Sequence, residues 1–153
     1  GTHNVPGAVA LGLAADWTRD HLRPEISRLA ALRDRLEQGI LARVPDAAVN
    51  GAGAMRVANT TNIRFDGVDA EAALIALDLR GFAVSTGSAC SSGAVKPSHV
   101  LTAMGLNRDQ AKASVRFSLG WTNTEEQVDR LIDAVEDSVK HLRRLAPTTA
   151  FHA

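Results

Sequence analysis

Apolar residues recur every three or four positions over the first 44 residues, and this spacing predicts amphipathic helix. Asn4 can cap the N-terminus, and Pro6 lies in the first turn, where a missing N–H costs little. Pro24 interrupts the pattern and predicts a break or a kink. We therefore expect one long bent helix, or two helices in tandem, ended by Pro45. The apolar residues that define it are Val5, Val9, Leu13, Trp17, Ile26, Leu29, Leu36, Ile40 and Val44.

Beyond Pro45 the pattern changes to short strands and short helices. A short strand and a Gly-rich turn are predicted over 46–57, and another short strand over 82–85. Two longer strands are predicted over 60–65 and 114–120, where apolar and polar residues alternate. Helices are predicted over 70–80, between Asp69 and Gly81, and over 98–104. The last helix begins with a capping-box pattern of Thr124 and Gln127. It continues in an apolar stripe of Val128, Leu131, Ile132, Val135, Val139 and Leu142.

Strands and helices that follow one another without a βαβα rhythm predict an α+β fold. We expect a small antiparallel or mixed sheet with helices packed on one side, preceded by the long bent helix as a linker. The predicted organisation is a linking helix over 1–45, a small domain over 46–147 and a tail over 148–153.

Charge and cysteine content narrow the functional classes. Lys plus Arg and Asp plus Glu are both 17, so the zero net charge gives no electrostatic case for nucleic acid or an anionic membrane. No apolar run reaches the 18 or so residues of a membrane span. The single cysteine allows no internal disulfide and no Cys-rich metal site, which favours a cytoplasmic protein without a bound metal.

The single cysteine, Cys90, lies in an unusual segment, Ser-Thr-Gly-Ser-Ala-Cys-Ser-Ser-Gly over 85–93. A lone cysteine is most often a small buried hydrophobic residue. Here no bulky apolar neighbour surrounds it, so an exposed loop thiol that attacks a sulfur atom is an equal hypothesis. A Cys–His dyad with His99 is possible, but a solvent-facing helix residue is the simpler interpretation of His99.

Two further positions are suited to anions. Arg116 lies in the middle of a predicted strand between Ser114 and Ser118, whose small side chains leave room for a carboxylate to meet the guanidinium. The alternative is an ordinary arginine paired with a surface acid. Thr2 and Asn4 lie at a helix N-terminus, where free N–H groups and the helix dipole favour phosphate, although simple capping is the default interpretation of any single site of this kind.

Six stretches of the chain carry a combined pattern: GTHNVPG at 1–7, NTTNI at 59–63, GFAVSTGSACSSG at 81–93, PSHVL at 97–101, AMGL at 103–106 and SVRFSLG at 114–120. With this pattern the chain resembles, over about residues 1–147, the C-terminal part of pyridoxal-phosphate-dependent cysteine desulfurases of the iron–sulfur and nitrogen-fixation type. That resemblance implies the small domain of a fold-type I enzyme.

The resemblance also implies roles for three residues. Cys90 would take the sulfur of L-cysteine as a persulfide, release alanine, and pass the sulfur to a scaffold or carrier protein. Arg116 would hold the substrate carboxylate. Thr2 would contact the phosphate of pyridoxal phosphate, the electron sink of the reaction, bound to the other subunit of a homodimer.

One departure bears on the activity of the chain itself. The lysine that holds the cofactor in this family has a Ser-x-His-Lys setting, which Lys96, Lys112 and Lys140 all lack. We therefore expect the cofactor domain to be absent from this chain and the chain alone to be inactive. The alternatives are selenocysteine lyase, and a stand-alone sulfur-carrier or binding module that works without a cofactor.

Overall fold

The computed structural model describes residues 1–86 and 97–145. The chain begins with helix α1 (Val5–Arg43), followed by strands β1 (Ala47–Val49) and β2 (Thr60–Phe65) and helix α2 (Ala70–Asp78). Two short helices, α3 (His99–Ala103) and α4 (Arg108–Lys112), precede strand β3 (Ser114–Ser118), and helix α5 (Glu125–Leu145) follows it. Within the described residues, no helix is both long and apolar enough to cross a membrane.

Helix α1 runs unbroken through Pro24, so the alternative of two helices in tandem is wrong. Proline removes one backbone hydrogen bond, to the carbonyl four residues earlier, and here that residue, Asp20, is exposed to water. The predicted cap is confirmed, since the backbone N–H of Gly7 donates to Oδ1 of Asn4 over 3.0 Å. At about 1.5 Å per residue, the 39 residues of α1 span about 58 Å.

The two ends of α1 have different surroundings. Every residue from Gly1 to Pro24 is exposed, whereas Leu32, Leu36 and Ile40 are buried. The guanidinium of Arg28 donates to the backbone carbonyl of Asn123 over 2.7 Å, close to where the exposed part of the helix ends. The second half of α1 therefore belongs to the packed body of the domain, and the first half projects from it.

The sheet is antiparallel, with the strand order β1-β2-β3. Burial alternates along β2: Thr61, Ile63 and Phe65 are buried, and the residues between them are partly exposed. Strand β3 adds two buried residues to this face, and helices α1, α2 and α5 cover it and supply most of the other core residues, as the α+β prediction requires. The core residues from the elements are Leu32, Leu36, Ile40, Ile63, Phe65, Ala70, Ala73, Leu77, Val115, Phe117, Val128, Leu131, Ile132, Ala134, Val135 and Val139.

Helix ends follow the predicted chemistry. Thr124 and Gln127 exchange two backbone-to-side-chain hydrogen bonds of 3.3 Å each at the start of α5. Gly81 adopts a φ of 84°, which residues with a side chain rarely adopt, and the N–H of Phe82 donates to the carbonyl of Leu77 over 3.0 Å.

Two predicted strands differ from the structure. The strand predicted over 82–85 is reduced to a single bridge between Ser85 and Arg116, because Phe82 is engaged in closing α2. The last strand ends at Ser118 rather than 120, although the N–H of Leu119 still donates to the carbonyl of Asn59 and so continues the register by one pair.

Candidate functional site

Arg116 lies on β3 and faces away from the helix-covered core. Its neighbours in sequence, Val115 and Phe117, are both buried, whereas Arg116 itself is exposed. Across β2 its partner is Asn62, and on its other side its backbone exchanges two hydrogen bonds with Ser85, of 2.6 and 3.1 Å. The backbone of Arg116 is thus fixed on both sides while its side chain stays on the open face of the sheet.

The guanidinium of Arg116 makes no hydrogen bond and no ion pair with any residue in the two described ranges. The alternative that it serves an ordinary surface ion pair is therefore not supported there. Of its two predicted small neighbours, Ser118 is exposed, but Ser114 is fully buried and belongs to a hydrogen-bond network described below. Within residues 1–86 and 97–145, all five N–H donors of Arg116 are therefore without a partner.

A cleft of about 340 Å³ opens on this face of the sheet, between β2, β3 and helix α3. Apolar side chains of Val57, Val100, Leu101 and Met104 form much of its wall. The complete lining is Asn50, Arg56, Val57, Thr60, Asn62, Thr86, Ser98, Val100, Leu101, Met104 and Arg116. The cleft is large enough for a small amino acid, and it contains no acidic side chain among these residues.

The second arginine of the cleft, Arg56, is already paired. It binds Glu37 of α1 with two hydrogen bonds of 2.6 and 3.1 Å, and both side chains are mostly buried. Burial raises the pKa of Glu37, but the hydrogen bond from Arg56 and the charges of Arg56 and Arg33 outweigh it and hold the pKa below its ordinary 4.5. Arg116 is therefore the cation of the cleft without a carboxylate partner.

A chain of polar side chains lies under the cleft. The Oγ of Ser114 donates to the carbonyl of Gln110 over 2.7 Å and accepts from Nδ2 of Asn50 over 3.0 Å. The same Nδ2 donates to Oδ1 of Asn62 over 2.6 Å. Asn50 and Ser114 are buried, and Asn62 lines the cleft beside its strand partner, Arg116.

The other predicted site residues are not brought to this cleft. Thr2 is exposed in front of α1, and about 35 Å of helix separates Val5 from Arg28, where α1 meets the body of the domain. His99 is exposed at the start of α3 and does not line the cleft. Cys90 lies outside the described residues, so its role stays a prediction.

Pyridoxal phosphate, which the resemblance implies, needs a lysine at the reacting centre, and the described lysines do not fit that requirement. Lys112 of α4 is absent from the lining of the cleft, and Lys140 is exposed on α5, where it pairs with Glu136 at 3.5 Å. Nor do the described residues bring together three or more acidic, histidine or cysteine side chains as a metal site would need. What this face offers by itself is an anion site.

Sequence reasoning missed Asn50, Asn62 and Arg56. Asn62 could have been found, since the predicted alternation along 60–65 already places it opposite the core-facing residues. Asn50 and Arg56 come from an irregular segment, and their contacts depend on how that segment folds back onto β2 and α1. No periodic signal in the sequence marks such contacts.

The chain is similar to known proteins over most of its length. A family model described as aminotransferase class-V matches residues 1–131. The chain is 48% identical over 147 residues to a cysteine desulfurase of Trichormus azollae and 44% identical to the cysteine desulfurase NifS of Azotobacter vinelandii. Each match covers 96% of this chain and 37% of the relative, so the chain spans just over a third of the length of these curated relatives.

The fold agrees with these matches. The crystal structure of a NifS-like protein from Rickettsia africae superposes with a TM-score of 0.79 at 33% identity, over 92% of this chain and 36% of that one. The long first helix, the small antiparallel sheet and the layer of helices are thus shared with a structure of related sequence. With a family model that matches most of its length and a related structure of the same fold, the chain belongs to the aminotransferase class-V family.

Proposed function

We propose that this chain forms the C-terminal part of a cysteine desulfurase and supplies the site that binds the carboxylate of L-cysteine. The observation that carries the proposal is Arg116, which has no ion-pair partner among the described residues and lies on the open face of the sheet, at the wall of a cleft whose described lining contains no acidic residue. Relatives named cysteine desulfurase, 42–48% identical over nearly the whole chain, support the choice of reaction.

The chemistry of Arg116 suits this substrate. A guanidinium presents its donors in a planar fork that matches the two oxygens of a carboxylate, so it fixes the direction of a small amino acid as well as its charge. The two strand partners hold the backbone of Arg116, so that the fork starts from a rigid position. The apolar wall of the cleft offers the guanidinium no competing charged partner, so the fork stays available to the carboxylate.

Cys90 is the proposed sulfur acceptor. Its thiolate forms a new S–S bond with the sulfur of L-cysteine, and the Cβ–S bond of the substrate breaks. The electron pair of that bond stays with the carbon skeleton, which takes up a proton and leaves as alanine. The outer sulfur of the Cys90 persulfide is then available to a thiol of a scaffold or carrier protein, which we propose as the partner.

The complete protein is proposed to use pyridoxal phosphate, held mainly by residues outside the described ones, and to act as a homodimer. Thr2 is the proposed phosphate contact toward the cofactor of the partner subunit. This fits its place before α1, because the first turn of a helix has free N–H groups and a positive dipole end. It also fits the projection of the first half of α1 away from the body of the domain.

The test uses the full-length protein with pyridoxal phosphate, L-cysteine and a reductant, and measures alanine and sulfide. We expect equal amounts of both. In Cys90→Ser, the hydroxyl is a poor nucleophile toward sulfur, so alanine release should stop while L-cysteine still changes the visible absorbance of the cofactor. Near-normal alanine release by Cys90→Ser would exclude the thiol as nucleophile, and an inactive wild-type protein would overturn the proposed function.

A further inference from the structure

In the hydrogen-bond network under the cleft, each donor and acceptor is determined by its neighbour, and the network ends at Asn62. It starts at the backbone carbonyl of Gln110, which only accepts hydrogen bonds. The single hydroxyl proton of Ser114 is committed to that carbonyl over 2.7 Å. Ser114 therefore has only lone pairs left, and the group of Asn50 that faces it at 3.0 Å must be the amide nitrogen.

The same logic settles the orientation of Asn62. Since Nδ2 of Asn50 donates to Ser114, its second proton meets Asn62 over 2.6 Å, and the receiving atom must be Oδ1. If both amides were turned round, Oδ1 of Asn50 would face Ser114, whose only proton is already in use. The reversed arrangement would thus leave two acceptors facing each other within a buried site, which is costly.

The amide nitrogen of Asn62 is consequently the last group of this hydrogen-bond network. Its two N–H groups make no hydrogen bond within residues 1–86 and 97–145. Asn62 lines the cleft and is the direct partner of Arg116 across β2 and β3, so the two side chains rise from the same face of the sheet. The cleft thus presents two neighbouring donor groups, one charged and one neutral.

We propose that Asn62 is a second binding residue for the substrate carboxylate, beside Arg116, and that Asn50 and Ser114 are its positioning residues. The inference rests on the proposed function for the identity of the ligand. An amide fixed with its N–H groups outward favours an acceptor such as a carboxylate. An amide free to turn would instead offer either its oxygen or its nitrogen, and would lose that discrimination.

The experiment measures binding rather than turnover, in the full-length holoenzyme. Calorimetry gives the affinities of L-alanine, which has the carboxylate but no sulfur to transfer, and of L-alanine methyl ester, in which the carboxylate charge is masked. Asn62→Ala should lower the affinity for L-alanine by about tenfold or more, the range for a hydrogen bond to a charged group. It should weaken binding of the ester less, because a hydrogen bond to an uncharged carbonyl is weaker than one to a carboxylate. Asn62→Asp should weaken binding of L-alanine further by charge repulsion.

Asn107→Asp is the matched control, because it adds the same charge at the cap of α4, where aspartate caps as well as asparagine and which does not line the cleft. It should leave both affinities unchanged. Ser114→Ala should lower the affinity for L-alanine less than Asn62→Ala does. It removes the hydroxyl that positions Asn50 but keeps the amide of Asn62 that donates to the ligand. Thermal unfolding of each variant shows that it is folded.

Two results separate this inference from the proposed function. If Asn62→Ala left the L-alanine affinity unchanged, or weakened alanine and ester equally, the role of Asn62 would be overturned while desulfuration by the wild-type protein would stand. If the wild-type protein bound L-alanine more tightly than its ester through Asn62 but released no alanine from L-cysteine, the carboxylate site would stand and the desulfurase reaction would be excluded.

Discussion

The two faces of the three-stranded sheet share one backbone but differ in the burial and the charge of their side chains. On β3, Phe117 lies in the core at 2% exposure and packs edge-to-face against Phe65, with ring centres 6.5 Å apart. Its neighbour Arg116 is exposed and free of ion pairs with the described residues. The covered face stabilises the fold, and the open face is the one to which we assign ligand binding, so we propose separate roles for adjacent residues of one strand.

This separation has a physical basis. Three helices cover one face and remove its apolar side chains from water, which is the main source of folding free energy. An unpaired arginine on that face would carry a large desolvation penalty. On the open face the same arginine stays hydrated until a carboxylate arrives, so its charge remains available for the ligand.

The largest expected effect is on stability, from the covered face. Phe117→Ala removes a fully packed ring and should lower the free energy of unfolding by about 3–5 kcal/mol. Chemical denaturation with urea measures it. The L-alanine affinity of the molecules that remain folded should equal that of the wild-type protein; a large loss of affinity at unchanged stability would contradict the division between the two faces.

A smaller effect on stability is expected from the ion pair between Arg56 and Glu37, which links the cleft to helix α1. Arg56 lines the open cleft, yet its partner Glu37 belongs to α1, so we assign this ion pair to stability. The pKa of Glu37 is lower in the folded state, so its contribution is present above the ordinary pKa of 4.5 and is lost as the pH falls through the folded pKa.

Glu37→Gln should therefore unfold at a lower urea concentration than the wild-type protein at pH 7. The difference between the two should shrink as the pH falls below 4.5 and through the lowered pKa of folded Glu37, because wild-type Glu37 then becomes protonated itself. Urea titrations from pH 7 to pH 3 measure this trend. A difference that grows on acidification would show that the ion pair does not act as described.

Much of the covered face was predictable. The alternation of 60–65 and the stripe from Val128 to Leu142 follow from residue periodicity, and the caps at Asn4, Asp69 and Thr124 from residue type. These features depend on neighbours in sequence. The unbroken course of α1 through Pro24 was harder to predict, because proline weakens a helix without fixing where it ends.

The open face was predictable only in part. Arg116 follows from its place between two serines on a strand, and its freedom from ion pairs agrees with an anion site. The orientation of Asn62 depends on Asn50, 12 residues away, and on Ser114, 52 residues away, both brought close only by folding. Networks of this kind leave no periodic trace in a sequence.

The most direct test of the account replaces Arg116 by lysine in the full-length holoenzyme. Arg64→Lys is its control: Arg64 lies on the neighbouring strand β2, likewise opposite the core face, pairs with Asp66 at 2.7 Å, and does not line the cleft. The measurement is the affinity for L-alanine by calorimetry, together with the melting temperature. We expect Arg116→Lys to lose about 10- to 100-fold in affinity at unchanged melting temperature, because lysine keeps the charge but loses the fork. Wild-type affinity in Arg116→Lys, or an equal loss in Arg64→Lys, would contradict the assignment of the open face to carboxylate binding.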